Sequence, residues 1–397
     1  MLELIFNFII KYKFIFLFYL LVIIFLIVKR KRLTYQAKII VLYRTKFGLN
    51  FIDKCNKKFR EWVVLIGYIG VGAGYVGLIF ISYVMIKNLY DLIIKPSAVN
   101  GVSLVLPGIN VPGLGVLPFW YWIIAIFIIA LVHEFGHGVV ARAHNIEVKN
   151  TGLVLFGPII GAFVEPEEKK LRKEKDIVQY SVLAAGPFAN VLLAILALGL
   201  LSLVFSPLQQ AMVEPTGFTF DNYVDDTYPF AVAGIQPGTI ITGINGQETL
   251  EFQTFSDQLF CIAPGKEVDI STKDKNYSLA LGISPDDQSK SFMGIKEIHN
   301  EFELKTKYSS KTWSAVYYSL DWITGFLRWL FLLSLGIGLF NLLPLPIVDG
   351  GRMMQVTLHR LKGEDKGEKR YKQISLFFLL ILVLNLFYPL LKGLLGI

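Results

Sequence analysis

The chain has 397 residues, 54% of them hydrophobic and 18% charged, with a mean hydropathy of +0.53. That balance is too apolar for an ordinary soluble domain and excludes a disordered chain, which leaves a membrane protein. The formal charge of +8 comes from 39 Lys and Arg against 31 Asp and Glu; the basic residues gather beside apolar stretches, where they act as orientation signals, so no nucleic-acid partner is expected.

A helix needs about 20 residues to cross a hydrocarbon core of about 30 Å, and six apolar stretches are candidates: about 14–28, 62–86, 119–144, 178–205, 328–343 and 374–395. The first is short and is preceded by Lys11 and Lys13. It has no small-residue cleavage site and runs into Lys29-Arg30-Lys31-Arg32, so it reads as a retained span with a stop-transfer flank rather than a removable leader. Residues 29–61 hold eleven Lys or Arg against Asp53 and Glu61, which predicts a cytoplasmic loop. Alternating onward makes residues 146–177 and 349–373 cytoplasmic as well, the latter with seven basic residues from Arg352 to Lys372.

Two apolar segments, 102–117 and 152–164, are too rich in Gly and Pro to span; the second contains Gly157, Pro158 and Gly161. Irregular backbone survives at membrane depth only against protein or a wet cavity, so both are expected as re-entrant or interfacial loops, with an ordinary surface connection as the alternative. Residues 214–303 change character: fifteen acidic residues, five Lys and no Arg accompany short alternating runs broken by Gly, Pro, Asn and Asp. This predicts a small β-rich domain on the outer side, and Cys55 and Cys261 then face opposite compartments and cannot pair. The expected fold is a multi-span α-helical membrane protein of about six transmembrane helices. Residues 1–118 supply two N-terminal helices, a basic loop and a re-entrant loop, 119–213 and 304–397 the two halves of a core, and 214–303 the inserted domain.

The chemistry is carried by His133-Glu134-Phe135-Gly136-His137 in the third stretch. Two His four residues apart stand one helical turn apart on one face, where both can reach a single Zn²⁺, and Glu134 can approach a water held beside it. Such groups inside an apolar span are costly and usually functional. A catalytic zinc takes a third protein ligand and keeps one position open. The best candidate lies in Asn341-Leu342-Leu343-Pro344-Leu345-Pro346-Ile347-Val348-Asp349-Gly350-Gly351. Its two prolines break the helix and leave Asp349 on unwound chain able to face a cavity, with Gly350 and Gly351 permitting the turn. The span count puts His137 and Asp349 toward the same cytoplasmic side; His144 is the weaker rival. Asn190 and Asn341 are polar groups in apolar spans, able to hydrogen-bond a substrate backbone or an oxyanion or else to join helices. Arg352 reads as an inside anchor.

Taken together, the His133–His137 motif, the Asn341–Gly351 motif and Gly186-Pro187-Phe188-Ala189-Asn190 resemble those of the site-2 proteases, intramembrane zinc metalloproteases, over about residues 119–395. The resemblance implies His133, His137 and Asp349 as zinc ligands, Glu134 as the base, and substrate positioning for Asn190 and Asn341. Val348 stands where Leu is more usual in that family. Ala231 to Gly246 is similar to the helix, turn and strand of PDZ domains, with Thr239 in place of the usual Asp, and lies where the family places such domains. A PDZ fold binds extended chain by strand addition; a purely steric gate is the alternative.

The expected function is therefore hydrolysis of peptide bonds in or near transmembrane segments, in regulated intramembrane proteolysis or in clearance of signal-peptide remnants. The partners are transmembrane proteins and membrane lipid, and the sequence leaves the oligomeric state open. The rival from another class is a catalytically silent membrane protein that binds substrates or acts as a chaperone through the PDZ-like domain; an intact Glu134 argues against it. A prenyl-protein type zinc protease gives no reason for the Asp349 motif.

Overall fold

The computed structural model describes residues 10, 12–36, 40–95, 101–102, 106–111, 115–285 and 287–395. In chain order its main helices are α1 (Lys13–Lys29), α2 (Leu49–Ile94), α3 (Phe119–Ala143), α4 (Asp176–Leu200), α5 (Phe252–Phe260), α6 (Lys311–Phe340), α7 (Asp349–Lys362) and α8 (Glu364–Leu395). The longer strands are β1 (Leu33–Gln36), β2 (Ile40–Thr45), β3 (Val148–Phe156), β4 (Ile159–Pro166), β5 (Val213–Tyr223), β6 (Ile241–Ile244), β7 (Glu267–Thr272), β8 (Asn276–Ala280) and β9 (Ile295–Leu304). The chain divides into two compact units, Met1–Leu201 with Gly325–Ile397, and Ser202–Thr324.

Among the described residues, five helical segments are long and apolar enough to cross a membrane: Leu49–Ile94, Phe119–Ala143, Asp176–Met212, Lys311–Phe340 and Glu364–Tyr388. The protein is thus a multi-span helical membrane protein with a separate β-rich unit. The expected first span forms α1, but at 17 residues and about 1.5 Å per residue it falls short of a core of about 30 Å. The second span is the later part of α2, a 46-residue helix whose backbone leaves helical geometry at Phe59 (φ −129°).

The basic stretch expected as a loop is ordered. Its β-branched runs form β1 and β2, and these join β3 and β4 in an antiparallel sheet of order β1-β2-β3-β4. The segment 152–164, expected as irregular chain, is the greater part of the β3–β4 hairpin. Phe156 pairs with Ile159, so Gly157-Pro158 is a two-residue loop, and Gly157 takes the positive φ (57°) that such a tight reversal demands. Segment 102–117 lies partly outside the described residues; within it Asn110–Val111 pairs with Gly115–Val116.

Residues Ser202–Thr324 contain a sheet of order β8-β7-β6-β5-β9. Its inward faces and α5 bury Phe218, Phe220, Phe230, Ile241, Phe255 and Ile270 completely. Phe255 and Leu259, four residues apart, place one face of α5 on that core.

Candidate metal centre

Helix α3 brings His133 and His137 to one face, as their spacing requires, and their Nε2 atoms lie 3.1 Å apart. Asp349, the first residue of α7, closes the triangle from more than two hundred residues away: its Oδ2 is 3.1 Å from His133 Nε2 and 3.3 Å from His137 Nε2. These three form a group of potential metal ligands in the described residues. Donors at the vertices of a tetrahedron with Zn–N bonds of about 2.0–2.1 Å stand about 3.3–3.4 Å apart, so the triangle is close to the size one zinc ion needs. The three side chains keep 12–13% of their surface exposed, enough to leave a face for water.

Local structure explains the convergence. Helix α6 ends at Phe340, and the two prolines beyond it forbid regular helix until Asp349. The unwound chain is pinned by the Gly350 N–H, which donates to the Asn341 carbonyl at 2.8 Å. Helix α4 crosses α3 with Gly186 at the two histidines; a Cβ there would strike the Nε2 atoms of both His133 and His137. His137 Nδ1 lies 2.7 Å from the Val182 carbonyl on α4. A carbonyl only accepts, so Nδ1 carries the proton and Nε2 keeps its lone pair for a metal.

His133, Glu134, His137, Asn341 and Asp349 line one cavity of about 310 Å³, together with Val164, Glu168, Leu171 and Arg352. Glu134 Oε2 accepts the Val164 N–H from β4 at 2.9 Å. That bond holds one carboxylate oxygen and leaves the other able to act. Asn341, just past the end of α6, donates Nδ2 to the Ile337 carbonyl of that helix at 3.1 Å, so its amide oxygen is the part left for the cavity. Asn190 is elsewhere: wholly buried on α4, with Nδ2 3.1 Å from His133 Nδ1. Arg352 lines the cavity and pairs with Glu168 (2.8 Å). His144, at the end of α3, is outside the metal-ligand group.

Several contacts around the cavity have no motif. The Val164 N–H comes from a strand that follows Gly157-Pro158 and contains Gly161; the Gly-Pro pair between two apolar runs was the usable signal. One residue along, Glu165 is held below the usual glutamate range by the Asn150 amide and the Arg44 guanidinium, and Arg44 is 3.2 Å away on β2. The N-terminal segment also grips α3 directly: Asn56 Nδ2 donates to the Val139 carbonyl (3.1 Å), Arg60 Nε to the Ala143 carbonyl (2.9 Å), and Arg142 pairs with Asp53 (2.7 Å).

Comparison with known proteins agrees with this geometry. The model of Peptidase family M50 matches residues 121–386, most of the chain. An uncharacterized protein of Methanocaldococcus jannaschii is 28% identical over 311 residues, 78% of this chain and 75% of that protein. Zinc metalloprotease RasP of Shouchella clausii is 24% identical, covering 51% of this chain and 56% of its own. Regulator of sigma-E protease RseP of Escherichia coli is 22% identical over 46% and 52%. The chain spans about half the length of these named proteases.

Proposed function

Because this chain belongs to Peptidase family M50, the site-2 protease family, we propose that it is an intramembrane zinc metalloprotease that hydrolyses peptide bonds in or near transmembrane segments of other membrane proteins. The observation that carries the reading is the meeting of His133, His137 and Asp349 at one point of a cavity that also contains Glu134.

The donor set fits zinc: two imidazoles and one carboxylate make three protein ligands and leave a fourth position. When bound, the ion supplies Lewis acidity, which acidifies water and polarises a carbonyl. His133, His137 and Asp349 hold it. Glu134, steadied by the Val164 N–H, takes a proton from the attacking water and returns it to the leaving amine. The amide of Asn341, on the cavity wall, hydrogen-bonds the substrate backbone. A helical substrate shields its own carbonyls and must unwind first. Strand β4 is an edge of its sheet beside Glu134, so its outer edge can pair with the unwound segment and hold it extended.

The cavity opens toward the cytoplasmic side, since the segments that line it beyond the spans, around Glu168 and Arg352, belong to the stretches assigned inside by their Lys and Arg. The acidic, Arg-free inserted unit lies on the outer side and acts as a PDZ-like domain. Regulated intramembrane proteolysis is the process this chemistry serves.

The test is Glu134→Gln in purified full-length protein with a model transmembrane substrate. The variant keeps zinc and loses cleavage by at least about 100-fold, the scale of general acid–base catalysis. Cleavage at the wild-type rate refutes the mechanism; a wild-type protein that binds substrate and never cleaves it supports the silent rival.

A further inference from the structure

Asn190 does not line the cavity, and its surroundings assign it a different task. Its side chain is wholly buried, its Nδ2 faces His133 Nδ1 at 3.1 Å, and its Oδ1 has no hydrogen-bond partner. Its backbone carbonyl accepts the hydroxyl of Ser334, itself buried, at 2.8 Å, and Gly338 closes over its Cβ. A residue clamped this tightly has one free choice, the sense of its carboxamide. The amide is nearly symmetric in shape, so hydrogen bonding decides which end meets the ring.

A neutral imidazole that offers Nε2 to a metal carries its proton on Nδ1. His137 meets this condition with the Val182 carbonyl as acceptor. For His133 in the same tautomer, an amide NH₂ opposite Nδ1–H sets donor against donor. Half a turn of the carboxamide exchanges its two ends. Oδ1 then accepts from His133 Nδ1–H, and the buried oxygen without a partner gains one. Leaving a buried acceptor unpaired beside a buried donor is costly, and one rotation both ends the donor–donor opposition and pairs the oxygen.

We propose that Asn190 is a positioning residue for the metal centre: its amide oxygen accepts the His133 Nδ1 proton, fixes that ring as a ligand through Nε2, and raises metal affinity without touching substrate. The inference rests on the zinc-protease reading above. It makes the two imidazoles equivalent in design, each oriented by an oxygen acceptor of α4, Val182 for His137 and Asn190 for His133. It also ties α6, through Ser334 and Gly338, to the ligand held by α3.

The experiment measures zinc affinity of the full-length protein by chelator competition, and the absorption of the Co²⁺-substituted form, for wild type, Asn190→Asp and Asn190→Leu. Loss of such a partner typically costs about 10–100-fold in metal affinity. Asn190→Leu is expected to weaken zinc by that factor and to shift the Co²⁺ bands, while its metal-free thermal unfolding stays near that of wild type. Asn190→Asp, a pure acceptor, is expected to bind zinc at least as tightly as wild type. Asn190→Asp weakened tenfold or more, or Asn190→Leu within twofold of wild type, overturns the proposal. So does a raised KM in Asn190→Leu at unchanged zinc affinity, which marks a substrate contact. If Asn190→Leu does not fold, Asn190→Asp alone decides. A wild-type protein that binds no zinc overturns the parent reading instead, and this inference with it.

Discussion

Two equally exposed valines show how differently the two units meet their surroundings. Val76, midway along α2, is 70% exposed, and Val232, in the inserted unit, is 73% exposed. Around Val76 the helix presents Ile69, Ile79, Phe80 and Tyr83 to the outside, a continuous apolar surface that water would not tolerate. Around Val232 the large apolar groups turn inward, and Phe218, Phe220, Phe230 and Phe255 are wholly buried. Although the helical unit also buries apolar clusters of its own, the same residue type thus stands on a surface suited to lipid in one unit and beside a core suited to water in the other.

The largest expected effect breaks that core. Phe220→Ala removes a wholly buried ring and is expected to cost about 3–5 kcal/mol, read as accelerated proteolysis within residues 202–324; zinc affinity stays unchanged because the ligands belong to the other unit. The two valines sharpen the contrast directly. Val76→Asp at mid-helix is expected to cost about 2.5–3.5 kcal/mol of apparent insertion free energy, whereas Val232→Asp shifts unfolding by no more than about 0.5 kcal/mol. Equal penalties at the two positions would show that they share one solvent.

Within the helical unit, Val164→Pro removes the N–H that holds Glu134. That N–H faces away from β3, on an edge strand where proline is tolerated. A hydrogen bond to a charged group contributes about 1.5–3 kcal/mol, so kcat is expected to fall roughly 10- to 100-fold with zinc retained. Unchanged kcat removes the hairpin from the mechanism. Smallest is Arg352→Gln, which breaks the pair with Glu168 at the cavity. Arg352 is 35% and Glu168 52% exposed, so the loss in stability is expected to be under about 1 kcal/mol, checked by thermal melting at low and high salt.

How much was legible in the sequence depended on the range of each signal. The His133–His137 spacing is a local helical period, and Asp349 stands out because two prolines and two glycines leave few other conformations; both lie at the ligand triangle. What sequence reading missed was carried by partners far apart in the chain. Lys29 to Arg60 looked like an orientation signal, but Arg44 and the start of α2 also brace the hairpin and α3, although the family match begins only at residue 121. The β3–β4 hairpin was hidden because Gly and Pro disqualify a spanning helix without announcing a strand. Asn190 was recognisable as a polar group in an apolar helix; that it faces His133 rather than the cavity follows from the crossing of α3 and α4, which no local pattern encodes.

The central claim is that one metal ion joins residues more than two hundred positions apart. Its most direct test is zinc stoichiometry and affinity in wild type and Asp349→Ala, with zinc-edge X-ray absorption to count the ligands. The expected result is one zinc per chain with two imidazole nitrogens and a carboxylate oxygen, and an affinity that collapses in Asp349→Ala. Zinc bound by Asp349→Ala with wild-type affinity and an unchanged ligand spectrum would contradict it.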